Sequence, residues 1–148
     1  MQEFSVNRRA RFDYEILQTY EAGIELRGFE VKAIKTGHIN LAGAFVVIRN
    51  NEAGLLNATI PPYQARNTPT DYDPSRSRRL LLHKAQIKEL IGAASQKGLT
   101  IVPLKVYTKR GRIKLLIGLA RHKKKHDKRE VIKRREANRE IARAVKRG

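Results

Sequence analysis

The sequence predicts a mostly β fold: a closed antiparallel barrel with helices packed outside it, followed by a basic C-terminal tail. Three observations carry that expectation. About six short segments alternate apolar and polar residues or hold brief apolar runs, with Gly, Pro, Asn or Asp between them. Within the body, two segments show helical spacing. From Arg121 the chain turns basic, and from Val131 helical and mostly charged; residues 121–148 hold thirteen Lys and Arg against four Asp and Glu, which places half of the chain's +18 in under a fifth of its residues.

A chain of 148 residues, 41% of them hydrophobic, supports one domain with a real core plus appendages. Residues 1–6 are read as a disordered lead-in, 7–126 as the barrel domain and 127–148 as a tail that becomes helical when bound. In 7–11, Asn7, Arg8, Arg9 and Arg11 form a basic cluster that runs into an alternating strand at Phe12, Tyr14 and Ile16. The strand continues through Ile24, and Gly23 permits the bulge or bend that small barrels need. Residues 28–37 read as a short helix, with Val31 and Ile34 three apart, Glu30 in the first turn, Lys35 in the last and Gly37 ending it.

Residues 40–49 return to strand character, 50–54 turn, and 55–60 supply the hairpin partner. Pro61 and Pro62 open an irregular stretch through Pro74, a length usual for functional or mobile loops. A second basic cluster, 76–84, brackets Leu80, Leu81 and Leu82. The clearest helix spans 85–97, with Ile87, Leu90, Ile91 and Ala94 on one face and Gly98 after it. Residues 99–107 and 112–120 form the last hairpin, across Lys109, Arg110 and Gly111. An oligonucleotide-binding-type barrel fits this count and this charge.

Without cysteine, disulfides, thiol catalysis and Cys-based metal sites are excluded. No apolar run approaches the roughly 20 residues that span a bilayer, and the N-terminus has no apolar signal core, so a soluble, cytoplasmic protein is expected. A pI near 10.7 points to a polyanion, nucleic acid ahead of an anionic membrane. His38, His83, His122 and His126 are not spaced to pair with a carboxylate or a nucleophile, so no catalytic residue is assigned. His122 and His126 are four apart but lack a third ligand, and no metal or other cofactor is expected.

For nucleic acid the signal is stronger. Basic clusters at 7–11, 76–84 and 109–129 border strand ends, which in a small barrel converge on one surface and meet phosphates. Tyr14, Tyr20 and Tyr63 offer stacking faces, with ordinary core packing as the alternative for each. In the tail, Val131, Asn138, Ile141 and Val145 give a cationic helix only a thin stripe, so it orders on its partner. Asp127 has two readings: an N-terminal cap for that helix, with Lys128 and Arg129 projecting toward phosphates, or a charge-diluter in a solvated basic run, which the residues alone favour.

Further motifs follow one order along nearly the whole chain. They are Asn7-Arg8-Arg9-Ala10, Tyr20-Glu21-Ala22-Gly23-Ile24, Gly28-Phe29-Glu30-Val31-Lys32 and Asp73-Pro74-Ser75-Arg76. Then come Arg79-Leu80-Leu81-Leu82-His83-Lys84, Gly118-Leu119-Ala120 and His126-Asp127-Lys128-Arg129. In these the chain resembles the SsrA-binding (small protein B) family, the partners of transfer-messenger RNA (tmRNA) in bacterial ribosome rescue. The resemblance implies an oligonucleotide-binding-like barrel and a non-enzymatic factor of trans-translation. Its body would bind the tRNA-like domain of tmRNA, alanyl-charged and accompanied by elongation factor Tu. Its tail would enter the vacant mRNA path of a stalled ribosome, against small-subunit rRNA near the decoding centre, in place of codon–anticodon pairing.

Family RNA-binding positions fall on Glu21, Leu81 and Lys114, with Asn7, Arg8 and Arg9 beside them. Ribosome-acting positions fall on Lys123, Lys124, Asp127, Lys128 and Arg129. The chain departs from the family pattern at Ala33, where Ser is usual, at His122, where Gly is usual, and at the tail positions Ala137, Ala144 and Val145. A structural ribosomal protein is the rival of another class, and would accompany ribosomal subunits whether empty or translating.

Overall fold

The computed structural model describes residues 1–96, 98–124, 129, 132–137 and 139. In chain order it has β1 (Gln2–Val6), α1 (Arg8–Asp13), β2 (Tyr14–Ile24), α2 (Gly28–Lys35), β3 (Phe45–Arg49) and β4 (Glu52–Leu56). A 3-10 turn at Ala65–Asn67 precedes β5 (Arg78–Leu81), α3 (Lys84–Ala94), β6 (Leu99–Lys109) and β7 (Arg112–His122). Residues 132–137 are helical. The strands form one antiparallel sheet ordered β1-β6-β7-β2-β5-β4-β3.

The mostly β architecture with flanking helices is as expected, but the barrel is not closed. β1 and β3 are the two edges of the sheet. β3 lies against β6 without sharing a ladder with it. Residues 40–44, expected to extend β3, turn instead: Ala44 N–H bonds to Leu41 O at 3.0 Å and Gly43 sits at φ +76°. Apolar alternation is the same in a curled open sheet and a closed barrel, so the sequence pattern did not separate them.

The N-terminus differs in two places. Residues 1–6 are not a loose lead-in; β1 pairs with β6, and Lys105 Nζ reaches Glu3 Oε1 at 3.0 Å. So short a segment becomes a strand only by adding to a formed edge. The strand expected from Phe12 begins at Tyr14, because α1 comes first. Asn7 caps α1 by accepting from Ala10 N–H at 3.2 Å, and Ala10 is buried with Val102, Leu104 and Ala120.

Tight turns set the hairpins. Asn50 and Asn51 at φ 51° and 60° make the two-residue loop between β3 and β4, so β4 starts at Glu52, earlier than expected. Arg110 and Gly111, at φ 54° and 76°, do the same between β6 and β7. The main core joins Tyr20, Ala22, Leu80, Leu115 and Ile117 of the sheet to Ala33 and Ile34 of α2 and Leu90 of α3. On α3 Leu90 is buried and Ala93 packs against the core; of the residues expected beside Leu90, Ile87 is half-buried, while Ile91, 40% exposed, and Ala94 face solvent.

A buried ion network ties α2 to β5. Arg78, fully enclosed, donates from Nε and Nη2 to Glu30 Oε2 at 3.0 and 2.7 Å. It also donates to the carbonyls of Ala58 and Pro74 at 2.7 and 2.9 Å. Arg76 adds a second guanidinium to the same carboxylate. The Tyr72 hydroxyl accepts from Arg78 Nη2 at 2.9 Å and lies 2.7 Å from the Ile60 carbonyl, which pins the end of the long 61–74 loop. Burial pushes the Tyr72 hydroxyl up to about 12, with the adjacent Glu30 carboxylate adding to it. The second basic cluster therefore turns inward in part: Arg76 and Arg78 serve Glu30, while the exposed Arg79 lies between Glu25 at 3.8 Å and Glu52 at 3.4 Å.

Candidate nucleic-acid interface

Three strands bring Glu21, Leu81 and Lys114 together. In the β2–β5 ladder Gly23 pairs with Leu81, and in the β2–β7 ladder it pairs with Lys114. The row therefore reads Leu81, Gly23, Lys114 across β5, β2 and β7. Side chains alternate across the pleat, so with Ala22, Leu80 and Leu115 in the core, Gly23, Leu81 and Lys114 face outward. Glu21, two residues along β2, shares that face. A Cβ on Gly23 would come within 3.2 Å of Leu81 Cβ, so glycine leaves the floor of the row open.

The result is a cavity whose walls include Glu21, Leu81 and Lys114, with His83 and Gln86 at the start of α3. The backbone N–H of His83 donates to Gln86 Oε1 at 3.1 Å, which fixes that helix start. Leu81 is 48% exposed, an apolar wall standing out of a polar face. On its other side lies a more apolar recess with Ile24, Leu26, Val31 and Arg112.

Glu21 is held in place by its neighbours. Its carboxylate accepts from the Tyr107 hydroxyl and lies 3.4 Å from Lys109 Nζ. The Tyr107 bond holds the Glu21 pKa below the ordinary carboxylate value; burial opposes this, while Lys109 and Lys114 add to it. Burial and Glu21 together push the Tyr107 hydroxyl up, so it remains a donor. The site thus offers an ionised acceptor, an ammonium for phosphate and a projecting apolar face. Among the described residues no group of three His, Asp or Glu is placed to hold a metal.

The remaining expected residues fall elsewhere. Asn7 is engaged internally: besides capping α1, its Nδ2 donates to Pro103 O at 2.8 Å and its backbone N–H to Leu104 O at 2.7 Å. Arg8 and Arg9 are exposed on α1, which packs beside Ala120. Ala120 shares the outward face with Lys114 but lies about 20 Å along β7, at about 3.3 Å per residue. Lys123 anchors the junction, its N–H donating to Asp13 O at 2.9 Å and its Nζ to Arg11 O at 3.1 Å. The His122 ring lies 4.4 Å from that of Tyr14. Lys124 is exposed, and so is Arg129, which is helical. Asp127 and Lys128, and the stripe of Val131, Asn138, Ile141 and Val145, lie outside the described residues. Of the three tyrosines, Tyr20 belongs to the core, Tyr14 is half-buried and Tyr63 is exposed.

Sequence reasoning missed Tyr107, His83 and Gln86. Tyr107 was within reach: counting back from the Arg110–Gly111 turn pairs Lys109 with Arg112, Thr108 with Ile113 and Tyr107 with Lys114. No comparable local signal relates His83 and Gln86 to Glu21.

Comparison with known proteins bears on this geometry. The family described as SmpB protein matches residues 4–147. The SsrA-binding protein of Thermosynechococcus vestitus is 54% identical over 142 residues, covering 96% of this chain and 93% of that protein. That of Gloeothece citriformis is 57% identical over 141 residues, covering 95% and 91%. A solved chain from the work "tmRNA-SmpB: a journey to the center of the bacterial ribosome" superposes with a TM-score of 0.67 at 47% identity, covering 86% of this chain and 93% of that one.

Proposed function

The chain belongs to the SmpB protein family, and from that premise we propose that it is an RNA-binding factor of trans-translation whose body binds the tRNA-like domain of tmRNA. The observation that carries the reading is the meeting of Glu21, Leu81 and Lys114 in one cavity on three adjacent strands. Lys114 neutralises a backbone phosphate. Leu81 packs against a ribose or base face, and Glu21, kept ionised, accepts from exocyclic amino or 2′-hydroxyl donors. In keeping with its family, the proposed role is binding rather than turnover.

The tail carries the second half of the function. Lys123 ties the junction to the end of α1, so the residues after it start from a defined point on the body. Lys124, Asp127, Lys128 and Arg129 then address rRNA phosphates in the empty mRNA path of a stalled ribosome, where the tail stands in for a codon–anticodon pair. The RNA arrives alanyl-charged with elongation factor Tu, and the work is cytoplasmic. No helix among the described residues is long and apolar enough to cross a membrane.

Titration of the full chain with the tRNA-like RNA at a series of salt concentrations tests the body's role. Log affinity falls with log salt, at a slope of about −4 if about five phosphates are neutralised. Lys114→Ala reduces that slope by about one. Leu81→Ala weakens binding and leaves the slope unchanged. A flat titration, or wild-type affinity in both variants, overturns the assignment.

A further inference from the structure

A second cationic site lies away from the Glu21 cavity, between α1 and the tail. Arg9 approaches the Phe12 ring with its guanidinium carbon 5.4 Å from the centroid, and Arg135 approaches the same ring at 5.5 Å. Arg8, Arg9, Arg135 and Arg139 line one cavity around that ring. Arg135 and Arg139 are four apart in sequence, so on a helix they present one face to α1. The ring's negative face attracts each cation, but four guanidinium groups around one cavity repel one another. Among the described residues no carboxylate lines it, and Asp13, 2.9 Å from Arg9 Nε, stands outside.

An anion with several oxygens is what this arrangement fits. Guanidinium groups bind phosphate through paired N–H donors, and four of them can share one or two phosphate groups. We propose that the cavity is a phosphate clamp: a phosphodiester of RNA, or a free oligophosphate of the same oxyanion chemistry, bridges Arg8 and Arg9 of α1 to Arg135 and Arg139 and fastens the tail to the body. Occupancy of the clamp and engagement of the tail elsewhere then exclude each other. The clamp uses none of the groups in the Glu21 cavity, so either site can fail without the other.

The absence of cysteine makes the test direct. Ala137→Cys, at an exposed helical position, accepts a nitroxide in the full chain, and its broadening of ring-labelled Phe12 resonances reports how close the tail lies. The probes are inorganic tripolyphosphate and a single-stranded oligouridylate, added separately. Broadening is present without probe and rises with either one. In Arg8→Ala/Arg139→Ala, which leaves Arg9 and Arg135 on the ring, the rise is lost. In Arg66→Ala, one charge removed elsewhere, it is retained. A response to oligouridylate at lower phosphate concentration than to tripolyphosphate identifies the RNA backbone as the ligand; the reverse order identifies a free oligophosphate. No rise with either probe, or an equal rise in the Arg8/Arg139 variant, overturns the clamp.

Discussion

Glu30 does three jobs with one carboxylate. It accepts from the backbone N–H of Arg27 at 2.9 Å, completing the start of α2, and it takes the guanidinium groups of Arg76 and Arg78 with no solvent reaching it. Burial pushes its pKa up, but the bonds from Arg76, the Arg27 backbone and Arg78 outweigh that and leave it at about 2, against an ordinary 4.5. A carboxylate depressed on folding stabilises the fold fully above its unfolded pKa. That contribution is lost as pH falls from about 4.5 through about 2. Glu30→Gln strands Arg78 without its counter-charge, and a loss of about 3–5 kcal/mol at neutral pH is expected. Urea midpoints measured from pH 7 down to 2 check both points: the variant starts lower and loses the acid-dependent part of the wild-type slope. An unchanged slope in the variant would assign the acid sensitivity to other carboxylates.

Among the elements, the β6–β7 hairpin positions both faces of the sheet. One side of β7 gives Leu115 and Ile117 to the main core. The other gives Lys114 to the cavity, then Leu116 and Ala120 to the small core under α1. Gly118 sits where that small core is tightest: a Cβ there would meet Leu104 Cδ1 at 3.0 Å and Ile16 Cγ2 at 3.1 Å. The leucine methyl ends a flexible side chain, but the isoleucine methyl branches beside the backbone and has less room to retreat. Gly118→Ala is therefore expected to cost about 1–3 kcal/mol as an overpacked site. A chemical denaturation midpoint equal to wild type would mean that Leu104 and Ile16 give way freely. The hairpin itself was legible, since Arg110-Gly111 is a tight-turn pair between two alternating runs. α1 was missed because Phe12, Tyr14 and Ile16 alternate convincingly, while the capping role of Asn7 depends on where the chain is headed.

At the scale of the whole molecule, the proposed function divides the work between body and tail. The body holds the Glu21 cavity, its proposed RNA site, on one face of the sheet, and the junction is tied down by Lys123. A chain ending at Arg129 retains Glu21, Leu81 and Lys114 together with the elements that align them. It is expected to bind the tRNA-like RNA as the full chain does, yet fail to support peptide tagging on stalled ribosomes. A reconstituted rescue assay run beside a binding titration separates the two. Tagging at the normal rate would remove the tail from the mechanism, and loss of binding would place tail residues in the RNA interface.

By itself the sequence determined the family, the basic character, α2 and the last hairpin. These rest on ordered motifs, on composition, and on turn and helix signals a few residues long. It also pointed, through the resemblance, to Glu21, Leu81 and Lys114 without any local reason for joining them. The open sheet, the inward turn of Arg76 and Arg78, and the cavity itself were decided by the tertiary structure. Arg78 meets Glu30 across 48 positions of sequence, and Tyr107 meets Glu21 across 86. A run of arginines has the same composition whether it faces solvent or a buried carboxylate. What separates the two is the cost of desolvating the charge against the gain from its partner, and that partner is in place only once α2 and β5 have packed together.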